Sequence, residues 1–341
     1  MRQFVRVACF CAVFMPLSGH LMAQDLEDLI KGSKEDANYL MNGYASPFLK
    51  AIGAGFNQGW YNTAKPHKTL GFDLTVSVAA ISIPQADRYF TVDNSKLSTI
   101  YLATDHRGVA VNQTTGKGKV PTLFGSEDTQ STYDFRSPAP SQPFDGVGGF
   151  DVSKLPMGRM PAPVFNLSIG LPKSIELKVR FATSGSLSDE IDFSLWGIGV
   201  MHDVKQYIPG VKNLPIDISG FVGYTHMDVS AELDEPTNKG EFVVNATTIQ
   251  GLVSKKVSVL TVYGGMGYNF SSSSLKLKGN YDLDDNASTP DMKDPVSLSA
   301  SLNGPRLTAG MRLKLAVFTF HGDYTFQKYS TLTVGFGIAV R

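Results

Sequence analysis

Val317-Phe318-Thr319-Phe320-His321-Gly322-Asp323-Tyr324-Thr325-Phe326 decides how this chain is read. In steps of two, one face is Phe318, Phe320, Gly322, Tyr324 and Phe326, and the other is Val317, Thr319, His321, Asp323 and Thr325. The next run sets Leu332, Val334, Phe336, Ile338 and Val340 against Thr331, Thr333, Gly335, Gly337 and Ala339. The preceding run sets Leu307, Ala309, Met311, Leu313 and Leu315 against Arg306, Thr308, Gly310, Arg312 and Lys314. Successive strand side chains point to opposite faces, so each run is an amphipathic strand. Three such runs of about ten residues, joined by short turns, form an antiparallel meander long enough to cross a membrane. A water-soluble barrel or sandwich also alternates, usually over shorter strands, so the rest of the chain must decide.

Working outward, Ile175, Leu177, Val179 and Phe181 alternate with Glu176, Lys178 and Arg180. Leu70 to Ala80 alternates with Asp73 on the polar face, and Phe165 to Leu171 does the same. Ile191–His202, Ile216–Asp228, Phe242–Ser254, Val257–Phe270 and Val296–Leu315 complete the regular runs, and Leu275–Leu283 extends one of them. Ile52–Asn62, with Trp60-Tyr61 suited to an interfacial girdle, is a plausible first strand that would pair with the last. The expectation is an all-β fold, an antiparallel transmembrane β-barrel of about twelve strands (ten to fourteen), with a short N-terminal helix or plug. Lys or Arg on a lipid-facing position at mid-depth costs about 2–4 kcal/mol, and the apolar faces of the best strands carry none.

Composition agrees with this reading. Among 341 residues the charged fraction is 18% and glycine numbers 33. Formal net charge is zero, which argues against nucleic acid as a partner. Arg2, Arg6, the apolar run Val7–Leu17 and Leu21-Met22-Ala23 read as a signal peptide over residues 1–23. Both cysteines, Cys9 and Cys11, fall inside it, so no disulfide is expected after cleavage near Ala23. Removing Arg2 and Arg6 from the 31 basic residues leaves 29 against 31 acidic ones. No later stretch is apolar enough for a spanning helix.

Residues 24–50 read as a helical plug, because Leu26, Leu29, Ile30, Ala37, Leu40, Met41 and Tyr44 recur at helical spacing. Pro47, Gly53 and Gly55 are expected to end it. Residues 51–341 are then the outer-membrane β-barrel, interrupted at 84–163 where alternation dissolves and proline accumulates. That segment reads as a lid-like loop with one short strand, Leu97–Ala103, and with Phe90, Phe124, Phe135, Phe144, Phe150, Met157 and Met160 as its apolar candidates. These would receive a small hydrophobic ligand or form the lid's own core.

Tyr44-Ala45-Ser46-Pro47, Gly53 to Trp60, Pro66-His67-Lys68, Gly71 to Thr75 and Phe320 to Gly337 resemble an uncharacterised Bacteroidota outer-membrane barrel family. That family is distantly similar to the long-chain fatty-acid transporters, whose N-terminus plugs the barrel. The resemblance implies a barrel of the cell outer membrane of a Gram-negative cell, inserted by the general barrel-assembly machinery and surrounded by outer-membrane lipid. It also implies porin-like transport, the binding or passing of a small hydrophobic molecule. The alternative is a non-transporting structural or secretion-associated barrel.

Chemistry-bearing clusters are sparse. The lumen-lining candidates are Asp73, Glu176, Lys178, Arg180, Arg306, Arg312, Lys314, His321 and Asp323. His321 with Asp323, and His226 with Asp228, share the inward face in this reading, but no Gly-x-Ser-x-Gly or His-Glu-x-x-His accompanies them. Asp282, Asp284, Asp285 and Asn286 lack the glycine and distal glutamate of a calcium loop. Thr115 to Lys119 lacks the spacing of a phosphate loop. No catalytic residue, cofactor or metal is expected, and no enzyme.

Overall fold

The computed structural model describes residues 33–104, 109–136, 143–188, 191–232, 238–281 and 292–340. The expected signal peptide, the first part of the expected helix and residues 282–291 with their aspartates lie outside the described residues.

Ten strands close a barrel. They are β1 (Phe72–Ile81), β2 (Met160–Leu171), β3 (Ile175–Ser188), β4 (Ile191–Asp203), β5 (Asp217–Glu232), β6 (Lys239–Val257), β7 (Leu260–Lys278), β8 (Gly304–Leu315), β9 (Phe318–Phe326) and β10 (Thr331–Val340). Each pairs antiparallel with the next, and β10 returns to β1 with Phe72 opposite Val340 and Ile81 opposite Thr331. Closure gives every strand two neighbours, as lipid requires, although the β2–β3 ladder stops at Asn166 opposite Arg180. An eleventh strand, Val296–Ser301, covers the upper part of β7 (Ser272–Leu277), and β8 takes over below it.

The expected count of twelve becomes ten for two physical reasons. Ile52–Asn62 is not a strand; it is the end of a helix and the coil after it, so the last strand closes on Phe72–Ile81 instead. Ile100–Ala103 is a strand, but it pairs with Thr132–Phe135 in the lid and not in the wall.

The described helix α1 spans Lys34–Phe56, capped by Ser33, whose side chain accepts from the Asp36 amide. It runs through Pro47 instead of stopping there. Gly53 and Gly55 do not terminate it but let it touch the wall. A Cβ on Gly53 would lie 2.6 Å from Ser271 Oγ, and one on Gly55 would lie 2.8 Å from the Ala162 side chain. After α1, residues 57–70 cross the lumen and leave at Leu70, whose amide donates to Gly170 O at 2.9 Å. Trp60 and Tyr61 are therefore buried inside the barrel and are no outer girdle.

The wall is uneven. β5, β6 and β7 run 16, 19 and 19 residues, against 10, 9 and 10 for β1, β9 and β10. The lid, 82–159, stands at the same end as the tall wall's upper parts. It holds two three-stranded sheets, one of Tyr89–Asp93, Lys117–Pro121 and Val111–Asn112, the other of Ile100–Ala103, Thr132–Phe135 and Phe144–Asp145. Its base is tied to the β9–β10 turn, where Tyr329 Oη donates to Asp87 Oδ2 at 2.7 Å.

The faces of the tall strands invert along their length. In the lower part, outward Val222, Ile249, Val253, Val262 and Met266 are exposed, and inward Ser219, Thr225, Thr248, Gln250 and Ser254 are buried. In the upper part, inward Met227, Val229, Phe242, Val244 and Leu277 are buried and pack with α1 and the lid in one core. There the outward positions are mostly polar, with Glu241 and Lys278 paired at 2.7 Å. Lower down, outward Phe72, Leu74, Val76, Phe165, Leu167, Phe320 and Phe336 continue the apolar band around the short wall.

Candidate functional site

Because α1 ends inside the barrel, its last carbonyls need donors that water cannot supply there. The last turn holds no basic residue; Asn57 and Gln58 at its end serve Gly53 O, Ala54 O and Gly55 O. The wall supplies donors for the carbonyls that follow. Arg180 Nη1 donates to Phe56 O and its Nη2 to Gln58 O, both at 2.6 Å. Arg306 Nη1 donates to Asn57 O at 2.8 Å, and its Nη2 to Gln58 Oε1 at 2.8 Å. Asn166 Nδ2 donates to Gly59 O at 2.6 Å. Gln58 Nε2 turns back to Ala54 O at 3.1 Å. Two cations at a helix C-terminus also oppose its dipole favourably.

Arg180 is fully buried and lies 3.9 Å from the centroid of the Trp60 ring, so the same guanidinium binds helix end and indole face. Below, Trp60, Tyr61, Met201, Phe221, Leu252 and Tyr263 make a second apolar cluster inside the lumen. Tyr61 Oη donates to Gln250 Oε1 at 2.5 Å, and Tyr263 Oη to Asp323 Oδ2 at 2.8 Å. At the lower mouth the His67 amide donates to Glu176 Oε2 at 2.7 Å, and Lys178 bonds the other carboxylate oxygen.

The structure thus brings Arg180 and Arg306 together on the plug, and Glu176 and Lys178 onto His67. Arg312 and Asp73 form a looser pair at 3.7 Å. Lys314 is half-buried near the mouth. His321 and Asp323 face inward but do not bond each other; His321 Nε2 lies 3.3 Å from Ser77 Oγ, while Asp323 binds Tyr263. His226 and Asp228, expected inside, stand on the outer face, where His226 packs beside Trp196 at 5.6 Å. Among the described residues no group of three His, Cys, Asp or Glu is placed to hold a metal.

The upper attachment uses residues that periodicity did not single out. Asp36, fully buried in the first turn of α1, accepts from the amides of Ser98 (2.7 Å) and Thr99 (2.8 Å) and from Thr99 Oγ1 (2.7 Å). Burial pushes its carboxyl up, but the bonds from Ser98, Thr99 and Ile100 outweigh this and hold it below the ordinary carboxylate value. Asn38 and Asn42, four residues apart on one face of the helix, accept from the amides of Ser297 (2.6 Å) and Ser299 (3.2 Å). They satisfy the free edge of the eleventh strand as a neighbouring strand would.

Of the lid candidates, Phe124, Phe144 and Phe150 are buried, Phe90 and Phe135 are partly buried against that core, and Phe90 lies on Gly43 of α1. Met160 is buried as the first residue of β2, while Met157 is 69% exposed and belongs to no core. The gap between helix and lid lined by Leu40, Tyr44, Phe90, Val120, Pro121 and Tyr133 holds only about 10 Å³.

Residues 1–340 match the model of a Family of unknown function (DUF6588), and the chain belongs to that family. No curated protein matches it. Among solved structures, it is similar to Ail, the attachment invasion locus protein of Yersinia pestis, at 7% identity over 80% of this chain and 98% of that one, TM-score 0.25. It is also similar to the translocator domain of autotransporter NalP from Neisseria meningitidis, at 10% identity, 81% and 90% coverage and TM-score 0.26. The TodX monoaromatic hydrocarbon channel shares 11% identity over 88% and 75%, with TM-score 0.24. Scores this low add nothing to the ring of strands seen directly.

Proposed function

We propose that the chain is an outer-membrane β-barrel whose lumen is held shut by its own N-terminal segment, and that it carries no solute current in this state. The observation that supports this most is the closure of Arg180 and Arg306 on the end of α1. The apolar, charge-free lower band of the outer face supports placement in lipid. The chain would reach the membrane through the general barrel-assembly machinery, and the role is non-enzymatic. Planar-bilayer recording of the refolded protein tests the plugged state: a silent trace is expected, and steady single-channel conductance from the wild type would sink the reading. Fractionation tests the location, since a product soluble without detergent would overturn it.

A second reading is favoured by the apolar contact between α1 and the lid. A small hydrophobic molecule would enter where Leu40, Tyr44, Phe90 and Tyr133 meet, widening that gap, and passage farther would need the helix end to leave the arginines. Fatty-acid uptake by a deletion strain separates the two: a chain-length-dependent defect supports passage, and unchanged uptake leaves the plugged, non-transporting barrel.

A further inference from the structure

The two ends of the barrel differ in charge. The lid's described residues carry seven acidic and seven basic side chains. At the opposite end, the plug exit (65–70) and the turns at 171–175, 203–217, 254–260 and 314–318 carry eight lysines and only two aspartates. One of those, Asp217, lies 4.0 Å from Lys65. Lys68, Lys173, Lys212, Lys255 and Lys256 are exposed, and Lys314 is half-exposed at the foot of β8. Exposed Leu171, Val257, Val259 and Val317 stand beside them in the same turns and continue the outer apolar band.

Cations bordering an apolar band fit one kind of partner well: a lipid whose acyl chains lie on the band and whose headgroup is an anion. We propose that the short-turn end of the barrel is a basic collar that holds the headgroups of anionic phospholipids. The proposal rests on the membrane reading above. Charge complementarity and continuity with the apolar band carry it. An acidic polysaccharide would match the charge but would leave the adjoining valines and leucine without a partner.

The test uses the full mature chain, checked as folded by heat-modifiable gel mobility. It is equilibrated in detergent micelles holding equal amounts of phosphatidylcholine and phosphatidylglycerol, and the co-purifying lipids are quantified. Phosphatidylglycerol is expected in excess, on the order of fivefold per engaged lysine at low salt, and the excess should shrink at high salt. The variant K173Q/K212Q/K255Q/K256Q should cut the excess most, the pair K255Q/K256Q should bring it to an intermediate value, and K117Q/K119Q/K154Q in the lid should leave it unchanged. Equal retention of the two lipids by the wild type overturns the collar, as does an excess left undiminished by the quadruple or the double substitution. Preferential capture of an acidic oligosaccharide over phosphatidylglycerol overturns it too. Failure of the membrane reading looks different: a chain soluble without detergent that takes neither lipid.

Discussion

The upper and lower parts of β5, β6 and β7 belong to the same strands yet are built in opposite senses. Above, Met227, Val229, Phe242 and Val244 face inward onto α1, with Phe48 and Phe242 stacked at 5.9 Å, while Asp228 and Glu241 face out. Below, Thr225, Thr248 and Gln250 face in, and Val222 and Ile249 face out. The upper part is assembled as a protein in water is, with apolar groups removed from solvent. The lower part is assembled for an apolar surround, where interior polar groups must find partners within the protein. Each part therefore anchors the plug with its own chemistry: packing and an acid–amide lock above, guanidinium on carbonyl below. A change tolerated in one should fail in the other.

The largest expected effect lies in the lower anchor. Arg180→Met keeps much of the volume but leaves Phe56 O and Gln58 O buried without their 2.6 Å donors. Each buried acceptor left without its donor costs about 1–3 kcal/mol, and Arg180 serves Asn166 Oδ1 at 3.0 Å besides the two carbonyls, of which Phe56 O keeps only Thr225 Oγ1 at 3.3 Å. Chemical denaturation followed by gel mobility should show that loss, and bilayer recording should show intermittent conductance as the helix end comes free. An Arg180→Met barrel as stable and silent as the wild type would mean that the clamp is incidental.

Next comes the inversion itself. Ile249 and Val243 lie on the same outward face of β6, six positions apart, but Val243 pairs beside Asp228 and Ile249 beside Val222. Ile249→Lys is expected to lower stability in lipid vesicles by about 2–4 kcal/mol, whereas Val243→Lys should change it little. Equal losses at both positions would erase the boundary drawn between the two parts.

The same boundary explains what the sequence made legible. Glu176, Lys178 and Arg180 against Leu177, Val179 and Phe181 told which face was which, because charge and period coincide on the first half of β3, which lies in the lower part. His226 and Asp228 misled for the complementary reason: above the boundary a polar side chain belongs outside. Ile52–Asn62 misled because a short apolar run reads equally as strand or buried helix. Its glycines looked like breakers, although Gly53 and Gly55 serve close contact with Ser271 and Ala162. Arg180 and Arg306 were legible as inward-facing, but what they clamp was not, since most of their acceptors are backbone carbonyls, which any residue carries. Asp36, Asn38 and Asn42 were visible only as polar positions on a helix whose apolar stripe drew the eye.

A smaller effect is expected at the upper anchor. Asp36→Asn removes the charge that gathers the Ser98, Thr99 and Ile100 amides, at a cost of about 1–3 kcal/mol to lid attachment. The carboxyl's pKa is lowered on folding, so its contribution is fully present above the ordinary value of 3.8 and is lost as the pH falls below it. Hydrogen exchange at residues 98–100 should therefore accelerate in acid for the wild type. With Asp36→Asn it should be fast throughout and insensitive to pH over that window, once intrinsic exchange is divided out.

The smallest effect tests the turns, where neither surround matters. Ala316, between β8 and β9, has φ of 53°, a left-handed conformation that an L side chain adopts at a cost of about 1–2 kcal/mol. Ala316→Gly relieves that strain but gives the unfolded chain more freedom, which takes back about 0.4–1 kcal/mol. The net gain should be under about 1 kcal/mol and should appear as slower unfolding in denaturant. Because the residue lies outside both anchors, plug conductance and lid exchange should stay as in the wild type, so a change in either would show that the β8–β9 turn is coupled to the plug through the wall.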